Sequence, residues 1–391
     1  MTGTELVLRA LTPVHIGGTE ELHAGQYTIW GNRLYVFSEE RLLNLLLQRR
    51  LANRFLGDAV GIMNSRDGRG MRSWLEQHQL WSESIIADIS VYSCKLSGGR
   101  PTTKDIRVLT RSAQGNPQFF GTAIKGSLRT VILYHVAKQW IRERPTEFLK
   151  MVDTALQRVP GNKKWASQPM VEELLASHLI GKGPEISTRD SKKGNASDAP
   201  HRDYLRVLRI GDAAPFAKDA ASIVSTSVKS VGGENGWYDK APITIETVDV
   251  GQQTRLKIVL DDWLMGQYVP EGMPMPFTTV ADIEKYVTDF HTDWIANEIR
   301  FYDYVKKPIP TVLLQTQGKP ILHLGWGSGL TGTTVLMLLP EEYRLRIRDK
   351  FFIHRDMSVF PKSRRLGPED SPLGLVELTF TTLSSAASAL I

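Results

Sequence analysis

The chain has 391 residues, 41% hydrophobic and 23% charged, with a net charge of +6 and a pI of about 9.2. That is ordinary for a soluble globular protein and supplies apolar material for a core. One cysteine, Cys94, excludes an intrachain disulfide and a cysteine-based zinc site, and no apolar run approaches the ~18 residues of a membrane span.

The first residues, MTGTELVLRAL, show no basic stretch followed by an apolar one, so no signal peptide and a cytoplasmic location are expected. The length allows two domains. A strand over Glu5–Leu11 is stopped by Pro13, and Gly17–Gly18 make a sharp turn. YTIW and RLYVF then flank Gly31-Asn32, a two-residue hairpin signal. Ser38 caps a leucine-rich helix reaching about Ala52, with Glu39 and Glu40 in its first turn. Residues 57–70 read as a glycine-rich loop, Ser73–Glu76 as a capping box, and Ile85–Leu96 as a strand.

Phe119–Trp140 predicts the end of a strand, a glycine turn and a long amphipathic helix capped by Thr122. Its charge is unusual. Lys125 and Arg129 occupy the first two turns, where the helix dipole is already positive and a cation costs roughly 0.3–1 kcal/mol. Such an end makes sense if an anion docks there. Between Lys95 and Arg129 seven cations face one acid, Asp105, so this window carries as much positive charge as the whole chain. A second basic cluster runs from Arg344 to Arg365 and ends in Lys362, Arg364 and Arg365. Clustered cations are the footprint of a phosphate-bearing partner or a solvated basic face.

Helices are expected near Thr146–Gln157 and Val171–Ile180. The polar segment Gly181–His201 reads as a loop or protrusion between halves. Strands follow at Tyr204–Ile210, Ile223–Val231, Ile243–Val250 and Thr254–Leu260, then the longest helix, Thr279–Val305. Ile321–Pro340 repeats the strand, glycine loop and helix pattern, with Gly325, Gly327, Gly329 and Gly332 in the loop. A last strand spans Leu375–Thr381.

Several motifs fail on chemistry. In GTAIKGS the lysine precedes the second glycine, so it would not serve as a P-loop. GSGLTG at Gly327–Gly332 fits G-x-G-x-x-G, but Pro340 cuts the helix short and no clear strand follows. Neither His-Arg-Asp triplet has the asparagine of a kinase loop. The histidines show no metal-ligand spacing. His15, in a glycine-bounded loop, is a turn histidine, an acid/base or an RNA contact; Trp326 is a core plug or a stacking platform; Cys94 reads as a core thiol.

LTPVHIGG after the first strand, GTAIKGSLRT opening the first long helix, LGWGSG near the C-terminus, and PKSRRLG followed by PLGLVEL together resemble the RAMP superfamily of CRISPR effector proteins. Within it, LTPVHIGG with YTIWGNRLYVFSEERLLNLL close behind is most similar to the capping subunit of type III-A (Csm) complexes. The resemblance implies an α+β fold of two ferredoxin-like (RRM-like) βαββαβ units with helical and loop insertions, one in residues 1–200 and one in 201–391. It implies a non-catalytic subunit near the 3′ end of the crRNA, with target RNA and the backbone and small subunits as neighbours, and without metal or cofactor. It points to His15, Gly17, Gly18, Lys125, Ser127, Arg129, Gly325, Trp326, Gly327, Ser328 and Gly329 as RNA contacts, and less directly to Lys362, Arg364 and Arg365. The alternatives are a guide-processing endoribonuclease using His15, a target-cleaving backbone subunit using Glu20 or Glu21, and a nucleotide-binding enzyme using Gly327–Gly332.

Overall fold

A computed structural model of the chain describes residues 3–18, 20–65, 69–99, 101, 103, 105–161, 203–232, 237–268, 275–352 and 359–382. The strands are β1 (Gly3–Ala10), β2 (Glu21–Leu22), β3 (Tyr27–Trp30), β4 (Arg33–Phe37), β5 (Ser90–Ser97), β6 (Ile106–Arg107), β7 (Leu208–Ile210), β8 (Ala221–Val231), β9 (Trp237–Val248), β10 (Gln253–Leu260), β11 (Ile321–His323), β12 (Ser363–Leu366) and β13 (Leu375–Thr382). Helices α1 (Glu39–Gln48), α2 (Ala52–Asn64), α3 (Arg69–Gln77), α4 (Glu83–Asp88), α5 (Gly121–Glu143) and α6 (Pro145–Arg158) lie in the first half, and the Val280–Tyr304 helix is the longest of the second.

β1 alternates, burying Leu6, Leu8 and Ala10. It sits mid-sheet, antiparallel to β10 on one side and β13 on the other. The full order is β11-β13-β1-β10-β7. Helix α5 and the Val280–Tyr304 helix pack against this sheet and each other, through edge-on rings of Tyr134 and Phe290 and stacked rings of His135 and Tyr286. Taken as β1, α5, β7, β10, the Val280–Tyr304 helix and β13, the connectivity has the ferredoxin-like strand order. It is assembled from both sides of residue 200. The larger sheet, β2-β6-β9-β8-β5-β4-β3, also mixes both halves, and among the described residues it runs in a different order. The mixed α+β class stands; the described residues do not form one ferredoxin-like unit in each half. No helix of the described residues is long and apolar enough to cross a membrane.

Local readings hold in part. Ser38 caps α1, and Thr279 forms a capping box with Asp282 ahead of the long helix. They fail in the α2–α4 region. Residues 52–64 are helical, not loop, and Ser73 lies inside α3, whose start is tied to Ser65 through the Gly70 N–H. Ile85–Asp88 belong to α4, capped by Ser82; isoleucines 85 and 89 recur at a helical interval that alternation concealed. Phe119, expected to end a strand, lies outside the strands. The expected helix 171–180 and the polar segment 181–201 lie outside the described residues.

Between the long helix and β11, His291 of the helix and His323 of the strand share a buried hydrogen bond of 3.0 Å between Nδ1 and Nε2, and His291 Nε2 meets Thr316 Oγ1 at 2.9 Å. Burial pushes His291 down to about 3, and burial with the neighbouring His291 holds His323 well below the usual imidazole range. Both are neutral when folded, while the unfolded chain protonates near pH 6.5. The unfolded state therefore binds more protons below that pH, and stability is full above pH 6.5 and lost as pH falls toward 3. Urea unfolding should show stability falling by up to about 1.4 kcal/mol per pH unit for each histidine below pH 6.5. His291→Gln should flatten that slope between pH 6.5 and 5; an unchanged slope would contradict the neutral pair.

Candidate nucleic-acid interface

The loop after β1 is stitched on three sides. Val14 exchanges backbone hydrogen bonds with Val248 of β9 (3.2 and 2.8 Å), and the Ile16 carbonyl accepts from Thr110 N–H at 2.9 Å. The third side is the second glycine loop: Trp326 N–H donates to the His15 carbonyl at 2.8 Å. Gly325 makes that approach possible. Its φ is +78°, and a Cβ there would lie 2.0 Å from the His15 carbonyl oxygen. Across from the joined loops stands the first stretch of α5. The result is an open groove of about 670 Å³, with His15, Gly17, Gly18, Ser127, Gly325, Trp326 and Ser328 in its walls. These predicted residues, from three distant stretches, meet at one place.

Under the groove lies Glu246, fully buried on β9. Its carboxylate accepts from the Leu109 N–H at 2.9 Å, from the Cys94 thiol at 2.9 Å and from the Arg111 guanidinium, whose cation lies 3.6 Å from the Tyr92 ring. Burial first, then the Glu246 charge, push the Cys94 thiol far up, so it is a core thiol and no nucleophile. The Glu246 carbonyl accepts from His15 Nδ1 at 2.7 Å. A carbonyl cannot donate, so the proton is on Nδ1 and Nε2 is a bare acceptor. Burial lowers the His15 pKa, the carbonyl bond opposes this, and Arg107 lowers it further. His15 is thus a neutral, buried post that fixes its loop.

The end of α5 receives anions from within the chain. The cap is Phe120 rather than Thr122, and Asp212 Oδ1 accepts from Gly121 N–H at 2.7 Å. Arg129 is held by Asp203 at 2.5 Å. Burial pulls Lys125 below its usual range, Asp203 raises it, and Arg129 adds to the lowering. Lys125 and Arg129 are not among the residues lining the groove. Glu21 pairs with Arg107 at 3.4 Å. Gly327, Gly329, Lys362, Arg364 and Arg365 line a second cavity of about 1,070 Å³, which shares Gly325, Trp326 and Ser328 with the first. Arg364 is engaged structurally: it pairs with buried Glu298 at 2.7 and 2.8 Å and stacks at 3.6 Å on Phe301. Trp326 is half-buried, neither plug nor free platform, with Arg107 and Arg365 over its ring.

Sequence reasoning missed Glu246, Asp203, Asp212 and the approach of Arg107 to Trp326. Glu246 had a local signal, a lone acid in the apolar strand ITIETV. The others depend on long-range pairing. Groups able to hold a metal are not found among the described residues.

Comparison with known proteins places the chain. The RAMP superfamily profile matches residues 7–330. The CRISPR system Cms protein Csm5 of Streptococcus thermophilus is 23% identical over 218 residues, 54% of this chain; the chain spans about half that relative, 52%. The protein of the same name from Mycobacterium tuberculosis H37Rv is 22% identical over 351 residues, 84% of this chain and 82% of the relative. A chain in the cryo-EM structure of a type III-A Csm–crRNA–target RNA ternary complex superposes with a TM-score of 0.64 at 22% identity, covering 96% of this chain and 100% of that one. The crystal structure of T. onnurineus Csm5 gives 0.63 at 20% identity, covering 95% and 99%. At these identities the superpositions speak to the fold.

Removing Glu246 would leave Arg111 half-buried without its carboxylate. Glu246→Ala should destabilise the chain by about 3–5 kcal/mol in urea unfolding. A loss under 1 kcal/mol would show that the network is not what holds the loops.

Proposed function

The chain belongs to the RAMP superfamily, and from that premise we propose that it is a non-catalytic RNA-binding subunit of a type III-A (Csm) effector complex, capping the backbone filament at the 3′ end of the crRNA in antiviral defence. One observation carries this reading: two glycine loops over 300 residues apart, together with the first turns of α5, wall a single open groove. Glycine lets backbone approach a phosphate where a side chain would intervene. A subunit that accepts any guide needs backbone contacts and no base readout. The names of the similar proteins support the Csm-complex part of this reading.

The commitments of His15 and Glu21 support the non-catalytic reading. His15 has its Nδ1 committed to a carbonyl and is neutral; of the two acids a backbone-type cleavage would recruit, Glu21 faces Arg107 and Glu20 lines the groove. The second cavity extends the same path, with Lys362 and Arg365 in its wall.

Protein neighbours would take a different surface. Leu43, Leu47, Leu56 and Val60 on α1 and α2 are each more than half exposed, and Arg49, Arg50 and Arg54 are exposed in the same hairpin. Exposed apolar side chains clustered in this way mark protein contacts. We assign this hairpin to the adjoining backbone subunit, with the small subunit beyond it.

Two measurements separate the surfaces. Ser127→Asp puts a carboxylate on the groove wall and should weaken binding of single-stranded RNA about tenfold at low salt, with thermal stability unchanged; full affinity would remove the groove from the RNA path. Leu47→Glu with Val60→Glu should leave RNA affinity intact and lose the backbone subunit from the co-purified complex. Retention of that subunit would refute the hairpin assignment.

A further inference from the structure

Arg107 and Arg365 reach the same indole. The Arg107 guanidinium carbon lies 5.3 Å from the Trp326 ring centroid, and that of Arg365 lies 4.7 Å from it. They come from β6 and β12, strands that do not pair with each other. Arg107 lines the first cavity, Arg365 lines the second, and Trp326 lines both. The tryptophan is thus one of the residues common to both cavities, and of the two cations over its ring one lines each cavity.

The charge there is incompletely answered. Arg107 has Glu21 at 3.4 Å, but both side chains are 39% exposed and water screens the pair. Glu20 also lines the first cavity. Arg365 has no ion-pair partner among the described residues. Surrounding protein and the nearby Arg107 charge both lower the Arg365 pKa. A guanidinium held by an aromatic ring near a second guanidinium is placed for a phosphate. The ring surface is already engaged by cations, so a base would have to displace them to stack.

We propose that a single nucleic-acid strand crosses Trp326 from the first cavity into the second, with Arg107 and Arg365 taking successive phosphates and Trp326 acting as the positioning residue for both. This rests on the RNA-binding reading above and names the residues that fix the strand's path. It also assigns Trp326 a role different from base stacking: removing the ring should act as though charge had been removed.

The test uses the full chain and a fluorescently labelled single-stranded RNA, with affinity measured across a salt series. Each phosphate contact contributes about 0.7 to the slope of log affinity against log salt for single strands. Arg107→Gln and Arg365→Gln should each make the slope shallower by about 0.7, and the double variant by about twice that. Trp326→Ala should approach the double variant although no charge is lost, and Trp326→Phe should restore the slope. If the wild type binds and the glutamine variants keep its slope, the clamp is wrong while the groove reading survives. A slope kept in Trp326→Ala with weaker affinity would indicate base stacking and overturn the positioning role. A wild type that fails to bind RNA at low salt overturns the RNA-binding reading itself. Were Trp326→Ala to fail to fold, the glutamine variants still decide the clamp.

Discussion

A carboxylate with no exposure to water has to be answered on every side, and Glu246 is answered by parts of the chain that share no sequence proximity. The Leu109 amide, the Cys94 thiol and the Arg111 guanidinium converge on its oxygens, while its own carbonyl holds His15. A buried ion left without partners costs several kcal/mol, so the arrangement that supplies these contacts is strongly favoured. The 105–118 segment, β5, β9 and the loop after β1 are thereby locked into one arrangement. The groove wall made by His15–Gly18 inherits its rigidity from that lock, and Gly325 then closes against it.

The same accounting changes the meaning of the basic window. Counted along the sequence, Lys95–Arg129 holds a large positive excess. Counted in space, Arg107 meets Glu21, Arg111 meets Glu246 and Arg129 meets Asp203, acids that all come from outside the window. Even the dipole of α5 is capped by an aspartate 91 positions away. A linear charge count cannot include acids that folding delivers. Among the described residues Arg107 has an exposed acid for a partner and Arg365 has no ion pair, and their meeting at Trp326 is not visible in the sequence.

How much was legible follows from what each feature depends on. The Ser38 cap is local and was readable, but Thr122 and Ser73 look equally suitable in sequence and are not caps: Phe120 caps α5 and Ser73 lies inside α3. The glycine loops were readable as special because glycine at a strand end has few other uses. The α2–α4 region was misread because its glycines and short isoleucine run satisfy two periodicities, and only packing of Leu42, Ile62, Trp74 and Leu75 into a separate cluster decides between them. The division at residue 200 leaves β1 in one half and its described partners, β10 and β13, in the other.

That pairing explains why the groove lies where it does. β13 runs antiparallel to both β1 and β11, so β1 and β11 point the same way. Ala10 faces Val376 and His323 faces Leu375, adjacent residues of one strand, so the loops leaving β1 and β11 emerge side by side. A helix crossing back over the sheet after β1 must begin near the same edge, and the first turns of α5 complete the wall. Three stretches that look independent in sequence are therefore three consequences of one strand order. In this chain that order goes with the meeting of the first loop, the start of α5 and the last glycine loop at one groove. What a particular sequence adds is the chemistry at that edge: glycines where backbone must be bare, Glu246 to hold the floor, and Trp326 with its two arginines at the passage to the second cavity.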